Sequence, residues 1–411
     1  MVHPVTTKLE DARALVLARA AQLAVETQKV PVMQAMGRIS AERVLSLIDL
    51  PRTDNAAVDG FAVHADRLAK KPDAPLKIVG MARAGHPFTG IVDPGQAVRI
   101  YTGAMVPEGP DCILMHEDCT DNGDSVICGK ILARGTNIRP RGENLAAGEC
   151  VAEKGQRITA ADMGQLAASG QAEIQVYRRL KVAIYSTGDE IIETGQKLQD
   201  GQIYDSNRAI LAGLLAHENV EQIDGGIVAD QKQALISAYK QGLADADIVI
   251  SSGGASDGIE DHSQSALAAL GAECLFWRLA MKPGRPMAVA EKDGQMIFCL
   301  PGNPVAAFVC FKLLVAPVID MLSGRVPRDL LKVRVAAGFE HKKRAGRAEY
   351  LRARLSTDDT GRQQITLHGR KGAGVISSLT GADGLVEIPF DCEGVCTGDM
   401  LNFIPFQEQA L

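Results

Sequence analysis

Lys181-Val-Ala-Ile-Tyr185 runs into Ser186-Thr187-Gly188-Asp189-Glu190, Asp247-Ile-Val-Ile250 into Ser251-Ser252-Gly253-Gly254-Ala255-Ser256, and Met296-Ile-Phe-Cys-Leu300 into Pro301-Gly302-Asn303-Pro304. Each is a short apolar run that gives way to small, turn-forming, donor-rich residues. Helical spacing fills the intervals: Ser206 to Glu218, Gln231 to Leu243, Asp261 to Leu270 and Asn303 to about Leu322. Strand and helix in alternation, with apolar strands buried on both faces, predict an open parallel sheet. Such a sheet binds ligands at the carboxyl ends of its strands. The Lys181–Pro304 stretch is therefore expected to carry the functional crevice, and the remaining chain to support it or form its other wall.

The 411 residues exceed one ordinary core, so two to four domains are expected. The net charge of −6 gives no general reason for nucleic-acid or membrane binding, and 4% aromatic content leaves few stacking platforms. No run approaches the roughly 18 apolar residues of a membrane span, and Met1-Val-His-Pro-Val-Thr-Thr-Lys8 has no apolar core of a signal peptide. Nine scattered cysteines without a C-x-x-C pair read as reduced thiols in a cytoplasm, not a zinc site.

Outside the central stretch, Thr7 to Glu26 has helical spacing, and a second helix is expected from about Val32 to Val44. From Pro51 to about Glu149 the chain turns to β-type runs: Leu76–Val79, Gln96–Tyr101, Asp111–Met115 and Asp124–Cys128. Ile158 to Gly170 is helical again, followed by a run at Ala172–Tyr177, and this piece is expected to pack back on the N-terminal helices. The β segment then reads as an insertion. Past Pro327, alternating runs divided by Gly/Asp turns predict a small β domain. The expected units are 1–50 with 145–179 (helical and mixed), 51–144 (β-rich, inserted), 180–326 (α/β) and 327–411 (β).

The glycines of Ser251–Ser256 let backbone N–H groups approach an anion, and the hydroxyls add donors; a tight turn chosen for sterics is the plainer reading. Asp189 and Glu190 read equally well as Mg2+ ligands, as an acid/base pair, or as a charge pair at a helix start. Leu279-Ala-Met-Lys-Pro-Gly-Arg-Pro286 puts Lys282 and Arg285 on a stiff proline-flanked loop, with Arg278 just before it, which suits an oxyanion clamp. Pro301–Pro304 turns from a strand into a helix whose N-terminus faces the same crevice. Thr53–Gly60, Tyr101–Ala104 and Arg139–Asn144 each read as a turn when taken alone.

Taken together, these motifs form an ordered set: D-N-A-A-V-D-G-F-A-V, Y-T-G-A, R-P-R-G-E-N, S-T-G-D-E, S-S-G-G-A-S, M-K-P-G-R-P and L-P-G-N-P-V, from Asp54 to Val305. With Gly372–Leu379 and Ala382–Leu385 in the tail, the set resembles the MoeA/gephyrin E-domain family of molybdopterin molybdenumtransferases over nearly the whole chain. The resemblance implies four domains: a central three-layer α/β molybdopterin-binding domain, an inserted β-rich domain, an N-terminal mixed domain and a small C-terminal β-barrel-like domain. It also implies an L-shaped homodimer whose active site lies between the α/β domain of one subunit and the β domain of the other. The implied reaction inserts molybdate into adenylylated molybdopterin, with Mg2+-dependent hydrolysis of the adenylate. The implied partners are those substrates, the adenylylating protein and recipient molybdoenzymes.

On that resemblance Arg278, Lys282 and Arg285 hold the oxyanions, with Ser378 closing their pocket. Ser186, Thr187, Gly188, Ser252, Gly253, Gly254, Ser256, Pro301, Asn303 and Pro304 line the pterin and phosphate site. Asp59, Thr102 and Arg139 reach in from the partner subunit. Asp189, Glu190 and Asp261 handle metal or protons. The chain departs from the family pattern at Val58 (usually Met), Asn144 (usually Asp), Ala306 (commonly Ser) and Asp257 beside the glycine loop. These departures motivate an alternative: a paralogue that carries molybdopterin without inserting metal.

Overall fold

The computed structural model describes residues 6–23, 25–254, 262–325 and 330–406. Its centre is a six-stranded sheet ordered Val220–Val228, Leu180–Thr187, Ile248–Ser252, Gln295–Leu300, Pro286–Lys292, Glu273–Arg278. The first four strands are parallel, whereas Pro286–Lys292 runs antiparallel to both of its neighbours, Gln295–Leu300 and Glu273–Arg278, so the expected all-parallel sheet is corrected to a mixed one. The cause is local. Asp293 and Gly294 both adopt positive φ (50° and 86°), and they join Lys292 to Gln295 as a two-residue hairpin.

Alternation along the strands divides the core between the two faces. Val182, Ile184, Ile248, Ile250 and Phe298 face one layer of helices, Asn207–Leu215 and Pro304–Leu322. Ala183, Tyr185, Val249 and Ile297 face the other, Lys232–Asp245 and His262–Ala269. The Pro304–Leu322 segment contains a π-helical turn at Phe311–Val315. It is long and apolar enough to cross a membrane, which corrects the reading that no run approaches that length. It is mostly buried here as the core helix of the α/β layer.

The first helix, Leu9–Ala20, buries Leu9, Ala12, Val16 and Ala20 against this same core. Thr7 N–H donates to Arg278 O at 2.9 Å, and Ala280 N–H donates back to Thr7 O at 2.8 Å. The expected packing of this helix with residues 145–179 is thus corrected. The expected helix over Val32–Val44 is absent too. Only a single 3-10 turn, Val32–Gln34, forms there. Gly37 (φ +71°) breaks the run, and Ser40 N–H donates to Gln156 O, so sheet-like pairing outcompetes helical spacing. Thr27–Pro31 pairs with Glu173–Tyr177, and the cluster formed by Val30, Val44, Leu145, Ile158, Leu166 and Val176 brings the two flanks of the β segment into one core.

Between those flanks lies a second six-stranded sheet, ordered Cys112–Met115, Gly60–Val63, Gln96–Ile100, Leu76–Ala82, Ser125–Cys128, Cys119–Asp121. In the tail, Ala348–Thr357 pairs with both Gln363–Leu367 and Gly384–Ile388, while Met400–Pro405 pairs with both Gly384–Ile388 and Val333–Ala337. Val333–Ala337 closes onto Gln363–Leu367, which makes a five-stranded barrel. The expected architecture of a central α/β domain with an inserted β-rich part, an N-terminal mixed part and a C-terminal barrel is the one observed.

Candidate functional site

The three loops converge at the carboxyl ends of the parallel strands. Ser186 and Thr187 are the last residues of their strand, with Ser186 in register with Ser252. Gly253 N–H donates to Leu300 O at 3.1 Å. Asn207, at the start of its helix, donates through Nδ2 to Ser252 Oγ (2.6 Å) and to Gly302 O (2.7 Å). One buried amide therefore ties the second loop to the third. Beneath them, Tyr239 is fully buried. Its hydroxyl shares a hydrogen bond with Ser251 Oγ at 2.8 Å, and burial pushes its acidity far out of reach.

The crevice keeps polar atoms unsatisfied. Ser186 Oγ, Thr187 Oγ1 and Asn207 Oδ1 are buried and have no hydrogen-bond partner among the described residues. Native interiors seldom leave such groups unpaired, because each costs about 1–3 kcal/mol. Gly253 (φ +97°) and Gly254 (φ +70°) bring bare backbone alongside, where a side chain would strike Thr187. Ser256 and Asp261, together with the departure at Asp257, lie outside the described residues.

Asp189 and Glu190 are exposed in a turn that leads to the short strand Ile191–Ile192; no helix begins there, so the helix-start explanation of these charges falls away. Asp189 Oδ1 accepts from Asp230 N–H at 3.1 Å. Among the described residues no group of three His, Cys, Asp or Glu gathers as a metal site.

The Lys282 loop lies at the same end of the sheet, because Arg278 pairs with Pro286 and the Pro286 strand runs antiparallel to Gln295–Leu300. Lys282 and Arg285 are exposed. Met281–Lys282 also pairs in parallel with Ala348–Glu349, so this loop is an added strand of the barrel. The tail meets the crevice a second time. Val305 N–H, in the first turn after Asn303 and Pro304, donates to Ala373 O at 3.0 Å. Ser378 is fully buried, accepts from Arg352 Nε at 2.9 Å and donates to Val375 O at 2.6 Å. Arg352, which the sequence reading missed, also donates to the carbonyls of Arg370 (3.1 Å) and Gly372 (3.3 Å). Burial lowers its basicity. At Ala306, fully enclosed, a methyl group stands where a hydroxyl was expected from the family pattern.

Asp59, Thr102 and Arg139 are exposed on the inserted sheet. Asp59 Oδ1 accepts from both the N–H and the hydroxyl of Thr102, at 2.7 Å each, and these bonds hold its carboxyl below the usual range. Arg139 lies in a separate two-stranded ladder, opposite Asn55. Among the described residues, no sheet or hydrophobic cluster joins 51–144 to the crevice, so within one chain these three residues are not brought to it. A cleft of about 720 Å³ lies at the opposite, amino end of the sheet. Within it Arg178 is bidentate on Asp247 at 2.6–2.7 Å.

A mixed α/β layer with a donor-lined crevice is thus joined to a barrel and an inserted sheet, the architecture of a multidomain α/β protein with its ligand crevice at the carboxyl ends of the strands. Family models match residues 7–170 (MoeA N-terminal region, domain I and II), 183–321 (probable molybdopterin binding domain) and 334–406 (MoeA C-terminal region, domain IV). The chain belongs to the MoeA family. It is 35% identical to the molybdopterin molybdenumtransferase of Haemophilus influenzae over 93% of this chain and 94% of that one. It is 39% identical to that of a Nostoc species over 73% and 70%. Two structures of the molybdopterin biosynthesis MoeA protein from Pyrococcus horikoshii superpose with a TM-score of 0.83 at 30% and 27% identity, covering 98% of this chain and 100% of theirs.

Proposed function

We propose that this chain, a molybdopterin molybdenumtransferase of molybdenum cofactor biosynthesis, inserts molybdate into the dithiolene of adenylylated molybdopterin while the adenylate is hydrolysed to AMP. The observation that carries the reading is the set of buried oxygens at Ser186, Thr187 and Asn207, without a partner among the described residues, beside bare glycine backbone. A phosphorylated pterin, rich in donors and acceptors, would satisfy them.

In this reading Ser186, Thr187, Gly188, Ser252, Gly253, Gly254 and Ser256 bind and orient the pterin and its phosphates through hydroxyls and N–H groups. Pro301, Asn303 and Pro304 present the helix N-terminus to the same anion. Lys282, Arg285 and Arg278 hold molybdate at the mouth, and the Arg352–Ser378 pair supports that wall from the barrel. The acidic residues fit a magnesium ion, because Mg2+ takes one or two carboxylates and completes its shell with water and substrate phosphate. Asp189 and Glu190, with Asp261, would hold it, and when bound it neutralises charge on the phosphate oxygens. Asp189 and Glu190 are exposed, so substrate oxygens can share the same ion.

Two chains complete the site. Asp59, already fixed by Thr102, and Arg139 would enter from the partner subunit of a homodimer. Met33, Met36, Leu45 and Leu47 expose 81%, 58%, 42% and 62% of their surface, which supports pairing of chains. Transient contacts with the adenylylating protein and recipient molybdoenzymes would bracket the reaction. Nine cysteines, none of them in a disulfide among the described residues, support work in a reducing cytoplasm.

Titration with molybdopterin tests the site. Thr187→Val, which keeps the shape and removes the hydroxyl, should weaken binding by about five- to a hundredfold. Unchanged affinity would remove this crevice from the account.

A further inference from the structure

Glu349 is a charged residue where a barrel strand would ordinarily bury an apolar one. It is 2% exposed, second in the strand Ala348–Thr357 and directly in register with Lys282. Three groups face its carboxylate. His341 Nε2 lies 2.9 Å from Oε2, while Lys282 Nζ (3.6 Å) and an Arg347 guanidinium nitrogen (3.5 Å) share Oε1. Burial on its own would raise this carboxyl. The His341 hydrogen bond and the charges of Lys282, His341 and Arg347 outweigh it and hold the group below the usual glutamate range. Glu349 therefore stays anionic near neutral pH.

The two ends of the contact differ. Glu349 is sealed in the barrel, whereas the Lys282 side chain is 55% exposed at the mouth of the crevice. At 3.6 Å the ammonium is attracted to the carboxylate without spending its donors in a short hydrogen bond. Its remaining hydrogens stay available to an incoming anion. A lysine alone is a flexible point charge on a four-carbon stem. A lysine tethered to a buried carboxylate is a charge held in place.

We propose that Glu349 is a positioning residue for the oxyanion-binding step: from the barrel it fixes the Lys282 ammonium at the crevice mouth, and so sets the affinity for molybdate. This rests on the reading of Lys282 as a molybdate-binding residue. It makes the C-terminal barrel part of the oxyanion subsite rather than an appendage. His341 serves the same end by occupying the other carboxylate oxygen, leaving Oε1 toward the loop.

The test uses full-length protein and two readouts. The first needs no turnover. Modification of Lys282 by an amine-reactive ester, followed by peptide mass spectrometry, should run at least about twofold faster in Glu349→Gln, because the freed ammonium loses its carboxylate. The second is the molybdate concentration giving half-maximal cofactor formation. Glu349→Gln should raise it about three- to tenfold with little change in maximal rate. In a Lys282→Ala background the same substitution should change nothing further. Equal Lys282 modification in both proteins, or Glu349→Gln and Lys282→Ala effects that multiply, would overturn the proposal. Absence of molybdate dependence in the unaltered protein would sink the functional reading instead, and the modification rates would still decide the pairing. Should Glu349→Gln fail to fold, Glu349→Asp, which draws the carboxylate back by one methylene, takes its place in both readouts.

Discussion

A β-carbon on Gly253 would stand 2.1 Å from the carbonyl oxygen of Thr187, so the second loop crosses the first at a point where only glycine fits. The contact is backbone against backbone, and Gly253 also holds φ at +97°. Gly253→Ala must therefore shift one loop or strain both. We expect a loss of at least about 2 kcal/mol in stability, read from urea midpoints, and loss of molybdopterin binding. Full binding by a stable Gly253→Ala protein would show that the crossing is not needed.

Asn207 joins the other pair of loops. Asn207→Ala removes the bonds to Ser252 Oγ and Gly302 O, and the buried Ser252 hydroxyl loses its amide donor. A stability loss of about 1–3 kcal/mol is expected, together with weaker pterin binding. An unchanged thermal midpoint would argue that the amide is incidental.

Acid stability should report the Arg178–Asp247 pair at the far end of the sheet. Burial opposes ionisation of Asp247, but Arg178 and the Lys181 N–H outweigh it, and its carboxyl is held below the ordinary aspartate range. A depressed carboxyl contributes stability above its unfolded value of about 3.9 and loses that contribution as pH falls through the folded value. Asp247→Asn should thus be less stable than the parent at pH 7, and the gap should close below about pH 4. Pterin binding should persist, since Asp247 lies at the opposite end from the crevice. A gap that widens on acidification would contradict the assignment.

Subunit sharing predicts complementation. At limiting molybdate, Asp59→Ala and Lys282→Ala homodimers should each be nearly inactive, while mixed dimers carrying one of each retain one intact site. Re-formed mixtures should recover up to about a quarter of parental activity, if chains pair at random and each dimer holds two independent sites. No recovery would place both residues in the same subunit's site.

How much of this could be read in advance follows from where the information sits in the chain. Each crevice loop announces itself locally, through an apolar run ending in Ser, Thr, Gly or Pro, and those loops do converge. Asp293-Gly294 carried the hairpin signal that would have shown the sheet to be mixed. The Val32–Val44 segment misleads because its apolar spacing suits a helix while its backbone is claimed by Gln156 and Gln175. Asn207, Arg352 and Glu349 were invisible for another reason. Each acts through a partner 26 or more residues away, and nothing in a glutamate between Ala348 and Tyr350 reveals that Lys282 will lie beside it.

The most direct test of the central claim is a single-turnover reaction. Purified protein is mixed with adenylylated molybdopterin, Mg2+ and molybdate, and AMP and metal-loaded cofactor are followed together. The account predicts molybdate-dependent AMP release matched one for one by molybdenum cofactor, and a shift of both to higher molybdate in Lys282→Ala. Tight binding of the adenylylated pterin with no AMP released would contradict it and leave a carrier in place of a transferase.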